Sequence, residues 1–334
     1  MIQPMPVDTR FVCAVLWSAL FLSACTSETA GGAMPQTGQT THAAPMSRTA
    51  PLVIAHRGGA GDAPENTLTA IREALANRAD AIWLTVQLSR DGVPVLYRPA
   101  DLASLTNARG AVASKTADEL ARINVGWQFK VQGADGRETW PYRESPVGMP
   151  TLARALDVIA RDVPVVLDMK ALPAAPQAAA VARVLDEAHA WDRVLLYSTE
   201  ATYQQAFSAW PHARMFESRD ATRDRLAAVA LARACIAPPP AGTWTAFEWR
   251  RHVDLTERFT LGVARSPVDD AQLWSPQAVQ CFRTNPDVRI VAIAVDNEAD
   301  YKAAACAGVD AVLSDSPRKM VAVRDALRGG YDCR

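Results

Sequence analysis

An excess of charge of either sign is missing from this 334-residue chain: 35 Lys and Arg face 36 Asp and Glu, for a formal net charge of −1. A nucleic-acid partner would normally require a basic excess, so none is expected. Beyond the first 24 residues no apolar run is long enough to cross a bilayer. None of the six cysteines has metal-ligand spacing. What is present is an apolar content of 49%, ample for one large domain. Single α/β barrels of about 250 residues fit such a length.

The amino terminus carries a short apolar run, FVCAVLWSALFLSA at 11–24, just after Arg10. That length and flank read as a secretory signal and not as a membrane helix. Leu22-Ser23-Ala24-Cys25 resembles a bacterial lipobox, which makes Cys25 the expected lipidated residue and residues 1–24 the signal. The alternative is an ordinary cleaved signal with an incidental cysteine. Thr26 stands where an inner-membrane retention signal would have Asp, so in a Gram-negative host the periplasmic face of the outer membrane is the expected location. Residues 26–50 are Ser, Thr, Ala, Gly, Gln and Pro with few large apolar side chains, and 25–50 reads as a tether. The folded domain is expected over 51–325, followed by a tail at 326–334. Cys235, Cys281, Cys306 and Cys333 remain for an oxidising compartment, and three full pairings are open.

The stretch Leu52–Arg98 organises the rest. It opens with a strand ending in His56-Arg57-Gly58, turns through Gly59, Gly61 and Pro64, and enters a helix at Asn66 or Thr67. A second strand meets Asp91-Gly92, a two-residue hairpin signal. Counting outward pairs Arg90 with Val93, Leu88 with Val95 and Thr85 with Arg98. Period-two alternation then puts Ile82, Leu84, Val86, Leu88, Val93, Val95 and Tyr97 on one apolar face. Trp83, Thr85, Gln87 and Arg98 fall on the other.

Downstream, residues 99–150 form an insertion with a helix over 116–123. Thr151 caps the next helix, and VPVVLDMK reads as a strand ending in Asp168 and Lys170. Helices over 174–190, 200–210, 221–233, 276–284 and 297–307 alternate with strands over 193–198, 214–217, 234–237, 288–295 and 309–314. Residues 241–275 read as irregular. Such alternation implies a parallel sheet with right-handed crossovers, and about eight strands make a (β/α)8 barrel of the TIM type.

The His-Arg-Gly strand end, Pro64-Glu65-Asn66-Thr67, the Asp-Gly hairpin, LTNARGAVASKTADELARINVG and the closing AGVDAVLSDSP together resemble the glycerophosphodiester phosphodiesterase family, over roughly 51–320. The resemblance implies a metal-assisted phosphoric diester hydrolase that uses Ca²⁺ or Mg²⁺. It makes His56 the catalytic histidine, a role suited to an imidazole. Arg57 becomes the phosphate-binding arginine, with a planar fork for two phosphoryl oxygens. Glu65 supports Arg57, Lys170 faces phosphate, and Asp168 stands at a metal-ligating glutamate. A plain Asp–Lys pair is the alternative reading of Asp168.

Three positions depart from the family's pattern. Trp83 and Thr85 replace the Glu-x-Asp metal ligands, and Arg98 replaces the second histidine, the general acid. Trp cannot coordinate a hard cation, and Thr offers one neutral oxygen. Arginine stays protonated and cannot deliver a proton to an alkoxide. No divalent cation is therefore expected. The expected ligand is a phosphate-bearing small molecule or lipid head group held by His56, Arg57, Arg98 and Lys170, with Thr85 supporting. Whether the protein is an enzyme stays open among three readings: a ligand-binding member with impaired hydrolysis, a working phosphodiesterase in which Arg98 replaces the metal's charge, and a structural envelope lipoprotein with a relic pocket.

Overall fold

In the computed structural model, which describes residues 49–333, the β-prone run Leu52–His56 forms strand β1. The apolar run, Cys25 and all but the last two residues of the tether lie outside the described residues. Helix α1, Leu68–Ala76, starts where Thr67 accepts a hydrogen bond from the Ala70 N–H. Strands β2 (Ala81–Leu88) and β3 (Pro94–Leu96) make the hairpin. The insertion holds α2 (Ala117–Ala121), closed by a Thr116–Glu119 capping box, and the short strands β4 (Val131–Gln132) and β5 (Glu138–Thr139). Then come α3 (Leu152–Val158), β6 (Val165–Met169), α4 (Ala174–Glu187), β7 (Val194–Tyr197), α5 (Thr202–Ala206) and α6 (Arg219–Ala232). Strands β8 (Trp244–Glu248), β9 (Arg251–Phe259) and β10 (Gly262–Ala271) follow. The described chain closes with α7 (Pro276–Phe282), β11 (Arg289–Ile293), α8 (Glu298–Ala307), β12 (Ala311–Ser314) and α9 (Pro317–Leu327).

Seven parallel strands run in the order β7-β6-β2-β1-β12-β11-β8, with β3 antiparallel to β2. The ends of that sheet are joined by two isolated bridges, Leu196 to Met215 and Phe216 to Trp244. Met215 and Phe216 thus serve as an eighth stave, and the sheet closes into the expected barrel. Its interior is filled by side chains such as Ile54, Trp83, Val166, Leu195, Phe216 and Leu313, as a packed barrel core should be. Two larger apolar layers lie between sheet and helices, and a smaller one fills the insertion. Ser47–Arg334 is one compact unit.

Several local expectations are corrected. The hairpin register is one residue out: Leu88 pairs with Pro94, Gln87 with Val95 and Val86 with Leu96. The Tyr97 N–H donates to the Thr85 carbonyl (3.1 Å), so Tyr97, not Arg98, lies opposite Thr85. The cause is a three-residue loop, Arg90-Asp91-Gly92. The Ser89 hydroxyl donates to Asp91 Oδ1 (2.6 Å) and accepts from the Val93 N–H (2.9 Å). Only Gly92 takes a positive φ, of 75°. Leu96 therefore shares the core of Leu84 and Val86, while Val95 and Tyr97 pack into the insertion.

Residues 234–237 form no strand, and 214–217 contributes only the two bridges. The stretch read as irregular, 241–275, instead supplies barrel strand β8 and a long antiparallel hairpin, β9–β10. Three consecutive prolines hid the strand that starts only at Trp244. The disulfides choose one pairing, Cys235–Cys281 and Cys306–Cys333.

Candidate active site

The carboxyl ends of β1, β2, β6, β7, β8 and β12 converge on one mouth, where barrel enzymes carry their chemistry. After His56 the backbone turns sharply through Arg57 (φ 51°), Gly58 (φ 79°) and Gly59 (φ 104°). Gly58 is required there: besides its φ, an added Cβ would come within 3.3 Å of the Ala70 Cβ. Asn66 (φ 58°) locks the turn. Its N–H donates to the Arg57 carbonyl (2.7 Å), and its Oδ1 accepts from the Thr85 N–H (2.8 Å). Two non-glycine residues held left-handed in one loop is strain of the kind that clusters at functional sites.

His56 Nδ1 lies 2.6 Å from Asp315 Oδ1. In the neutral ring that carboxylate selects the tautomer with the proton on Nδ1 and the lone pair on Nε2, the arrangement that prepares an imidazole as base or nucleophile. Burial pushes the Asp315 carboxyl upward, but the His56 hydrogen bond and the nearby His56 and Arg57 charges outweigh it and hold it below the usual value. Arg57 is clamped by Glu65 at 2.5 Å. Lys170 lies 2.9 Å from Asp168 Oδ1, an ion pair without well-directed hydrogen-bond geometry, and donates to Thr199 Oγ1 at 3.3 Å. Burial drives the Asp168 carboxyl above its ordinary range, against the pull of Lys170, His56 and Arg57.

Each expected cation near His56 therefore has its own carboxylate. Arg98 does not: among the described residues it has no carboxylate partner. It is exposed, and with Gln87, Lys170 and Thr199 it lines a hollow of about 470 Å³ on the insertion side of the mouth. The structure thus puts Arg98 and Lys170 on the lining of one hollow, while His56, Arg57 and Thr85 do not line it. Thr85 is fully buried, in register with Asp168, which is in turn in register with Tyr197.

A distinct feature is a concentration of buried polar atoms with no hydrogen-bond partner among the described residues: Arg57 Nε, Glu65 Oε1, Asn66 Nδ2, Trp83 Nε1, Thr85 Oγ1 and Asp168 Oδ1. Trp83 is 1% exposed and pinned by Tyr197 and Phe216, with ring centroids 4.9 and 5.7 Å away. Burial of the Tyr197 hydroxyl pushes it up to about 12, keeping it protonated. Across the mouth, Arg219 donates to Glu248 (2.7 Å) and to the Tyr197 hydroxyl (3.3 Å), its guanidinium 4.4 Å over the Phe247 ring.

This donor set does not fit a divalent cation. Trp83 offers an N–H and no lone pair, Thr85 one neutral oxygen, and Asp168 already faces an ammonium. Among the described residues no group of three or more His, Cys, Asp or Glu is arranged to hold a metal. Sequence reasoning missed Asp315, Asn66, Tyr197 and the Arg219–Glu248 pair. Signals existed for Asn66, inside Pro64-Glu65-Asn66-Thr67, and for Asp315, a carboxylate directly after the last strand in AGVDAVLSDSP.

A model of the glycerophosphoryl diester phosphodiesterase family matches residues 56–319. An uncharacterized protein of Mycobacterium tuberculosis is 45% identical over 267 residues, spanning 80% of this chain and 87% of that protein. The crystal structure of the glycerophosphoryl diester phosphodiesterase domain of an uncharacterized M. tuberculosis protein superposes with a TM-score of 0.77 at 43% identity, covering 82% of this chain and 99% of that one. An Oleispira antarctica phosphodiesterase in complex with the product sn-glycerol-3-phosphate superposes with a TM-score of 0.59 at 23% identity, covering 83% of this chain and 97% of that one. That last likeness is one of fold.

Proposed function

Because the chain belongs to the glycerophosphoryl diester phosphodiesterase family, we propose that its barrel mouth binds the phosphoryl group of a glycerophosphodiester or lipid head group without a divalent cation, with hydrolysis weakened or lost. One observation carries the reading. Four buried donors, Arg57 Nε, Asn66 Nδ2, Trp83 Nε1 and Thr85 Oγ1, lack hydrogen-bond partners among the described residues. A buried polar group left unpaired costs about 1–3 kcal/mol, and an anion accepting from several of them removes that cost. Trp83 and Thr85 stand where the family pattern has metal-ligating carboxylates, so the change substitutes neutral donors for a carboxylate-and-cation set. The Oleispira phosphodiesterase holds sn-glycerol-3-phosphate, and the same ligand class is proposed here.

The weak hydrolysis follows from what Arg98 cannot do. It stays protonated, so the leaving alkoxide has no general acid at that position, a loss worth about 10²–10⁴ in rate. The missing cation removes several further kcal/mol of charge stabilisation. A second reading, a working hydrolase, is favoured by the intact His56–Asp315 pair, which leaves Nε2 prepared for attack on phosphorus. We also place the protein in the bacterial envelope, anchored through a lipidated Cys25. The lipobox and the polar tether support this, as does a barrel domain stapled by two disulfides. A Cys25→Ala protein should leave the membrane fraction, and the wild type should take up labelled fatty acid.

Calorimetric titration with sn-glycerol 3-phosphate, beside turnover assays on glycerophosphodiesters, separates the readings. Binding is expected to be insensitive to chelator, to fall as salt rises and to be lost in Arg57→Ala. Turnover that survives chelator but vanishes in His56→Ala would establish the second reading. Ordinary turnover abolished by chelator would overturn both. No binding of any phosphate ester would leave the relic.

A further inference from the structure

Hairpin β9–β10 leaves the barrel just after Glu248, at the end of β8, and therefore on the same side as the mouth. Nine residues in β9 at about 3.4 Å each give it a reach of roughly 30 Å. A lone two-stranded ribbon is marginal in water, yet this one exposes large apolar side chains. Leu261 at the tip is 99% exposed, Phe259 61% and Val263 59%, with Leu255 and Val268 also exposed farther back. Alternation puts Val253, Leu255 and Phe259 on one face with Ala264 and Val268.

Charge is distributed along the ribbon in a particular way. The root carries acids, with His252 bridging Asp254 and Asp269. The tip carries Arg258 and Arg265, and neither has a carboxylate partner among the described residues, although Glu257 lies beside them. Aromatic and leucyl side chains flanked by unpaired guanidinium groups are the chemistry of a bilayer interface. The apolar tip enters the head-group boundary, and the arginines meet anionic phosphates. A protein partner's apolar groove would explain Phe259 and Leu261 but would leave the two arginines without a role.

We infer that the Phe259–Val263 tip docks on an anionic lipid bilayer, with Arg258 and Arg265 meeting its head groups. The barrel mouth then sits on the side of the molecule turned to the lipid surface. The inference needs neither a lipid on Cys25 nor phosphate binding in the mouth, so those proposals and this one fail independently.

The test uses Ser47–Arg334, which is one compact unit, in flotation with phosphatidylglycerol/phosphatidylethanolamine vesicles and with phosphatidylcholine vesicles. Wild type should float with the anionic vesicles, and less so as salt rises. Phe259→Ser with Leu261→Ser should weaken partitioning about tenfold or more, and Arg258→Ala with Arg265→Ala about tenfold. All these side chains are exposed, so the melting temperature should not change. Wild type that ignores anionic vesicles, or that binds them equally after either double substitution, overturns the inference. So does a concentration-dependent dimer that the Phe259/Leu261 variant dissociates, since the tip would then pair with a second copy.

Discussion

Two opposing forces act on the Asp168 carboxyl: burial, which favours the neutral form, and the Lys170 ammonium 2.9 Å away, which favours the charged one. Burial is the larger and raises the group above its ordinary value of 3.8. The folded protein then holds that proton more tightly than the unfolded chain does. The associated stability is complete below 3.8 and is lost as pH rises through the folded-state value. Urea unfolding at a series of pH values should show wild type losing stability relative to Asp168→Asn as pH rises above 3.8. The opposite slope would mean that Lys170 dominates. Asp168, Lys170, His56 and Arg57 were legible because they sit at strand ends inside motif-bearing runs. Asp315 also follows a strand in such a run, but its partnership with His56 was not legible, because it spans 259 positions. Only closure of the barrel brings β12 against β1.

Among elements, the β2–β3 hairpin shows how a strong local signal can still leave the register open. Asp-Gly suits a two-residue turn and also a three-residue loop with glycine in the left-handed position. The choice falls to the Ser89 hydroxyl, which ties Asp91 to Val93. Shifting the pairing by one residue exchanged the faces of β3, sending Leu96 to the core and Val95 and Tyr97 to the insertion. Gly92 has φ 75° and nothing within 4 Å of an added Cβ, so Gly92→Ala tests backbone strain alone. It should cost about 1–2 kcal/mol in denaturant unfolding and leave ligand affinity unchanged. The β9–β10 ribbon escaped prediction for another reason. Its strands alternate apolar and charged residues without a core to face, so period-two patterning gives no inside and outside.

At the scale of the molecule, the barrel was legible because helix and strand periods alternate along nearly the whole domain, whichever individual boundary was wrong. The disulfide pairing was not, since four cysteines constrain nothing until helices place them. Cys235–Cys281 closes a separation of 46 residues between the segment after α6 and helix α7. By chain entropy its loss costs about 4 kcal/mol. Cys235→Ser with Cys281→Ser should therefore lower the urea midpoint, and thiol reduction of wild type should lower it at least as far.

The barrel wall is uneven in strength. Five register pairs join β2 to β6, but among the described residues the cylinder is fastened between β7 and β8 through the short stretch 214–217 and its two isolated bridges. Three amides span that join: Leu196 N–H to the Arg214 carbonyl (2.8 Å), Phe216 N–H to Leu196 (2.9 Å) and Glu217 N–H to Trp244 (2.9 Å). Deuterium should enter there first. In native-state exchange the amides of Leu196, Phe216 and Glu217 are expected to lose protection in milder denaturant than those of Leu84 and Leu167, by an unzipping that leaves the rest of the sheet intact. The cylinder would then behave on slow timescales as a curled ribbon with a clasp. The clasp lies beside Tyr197 and Arg219, so the mouth would widen on that flank while His56 and Asp315, on the far side, stay in register.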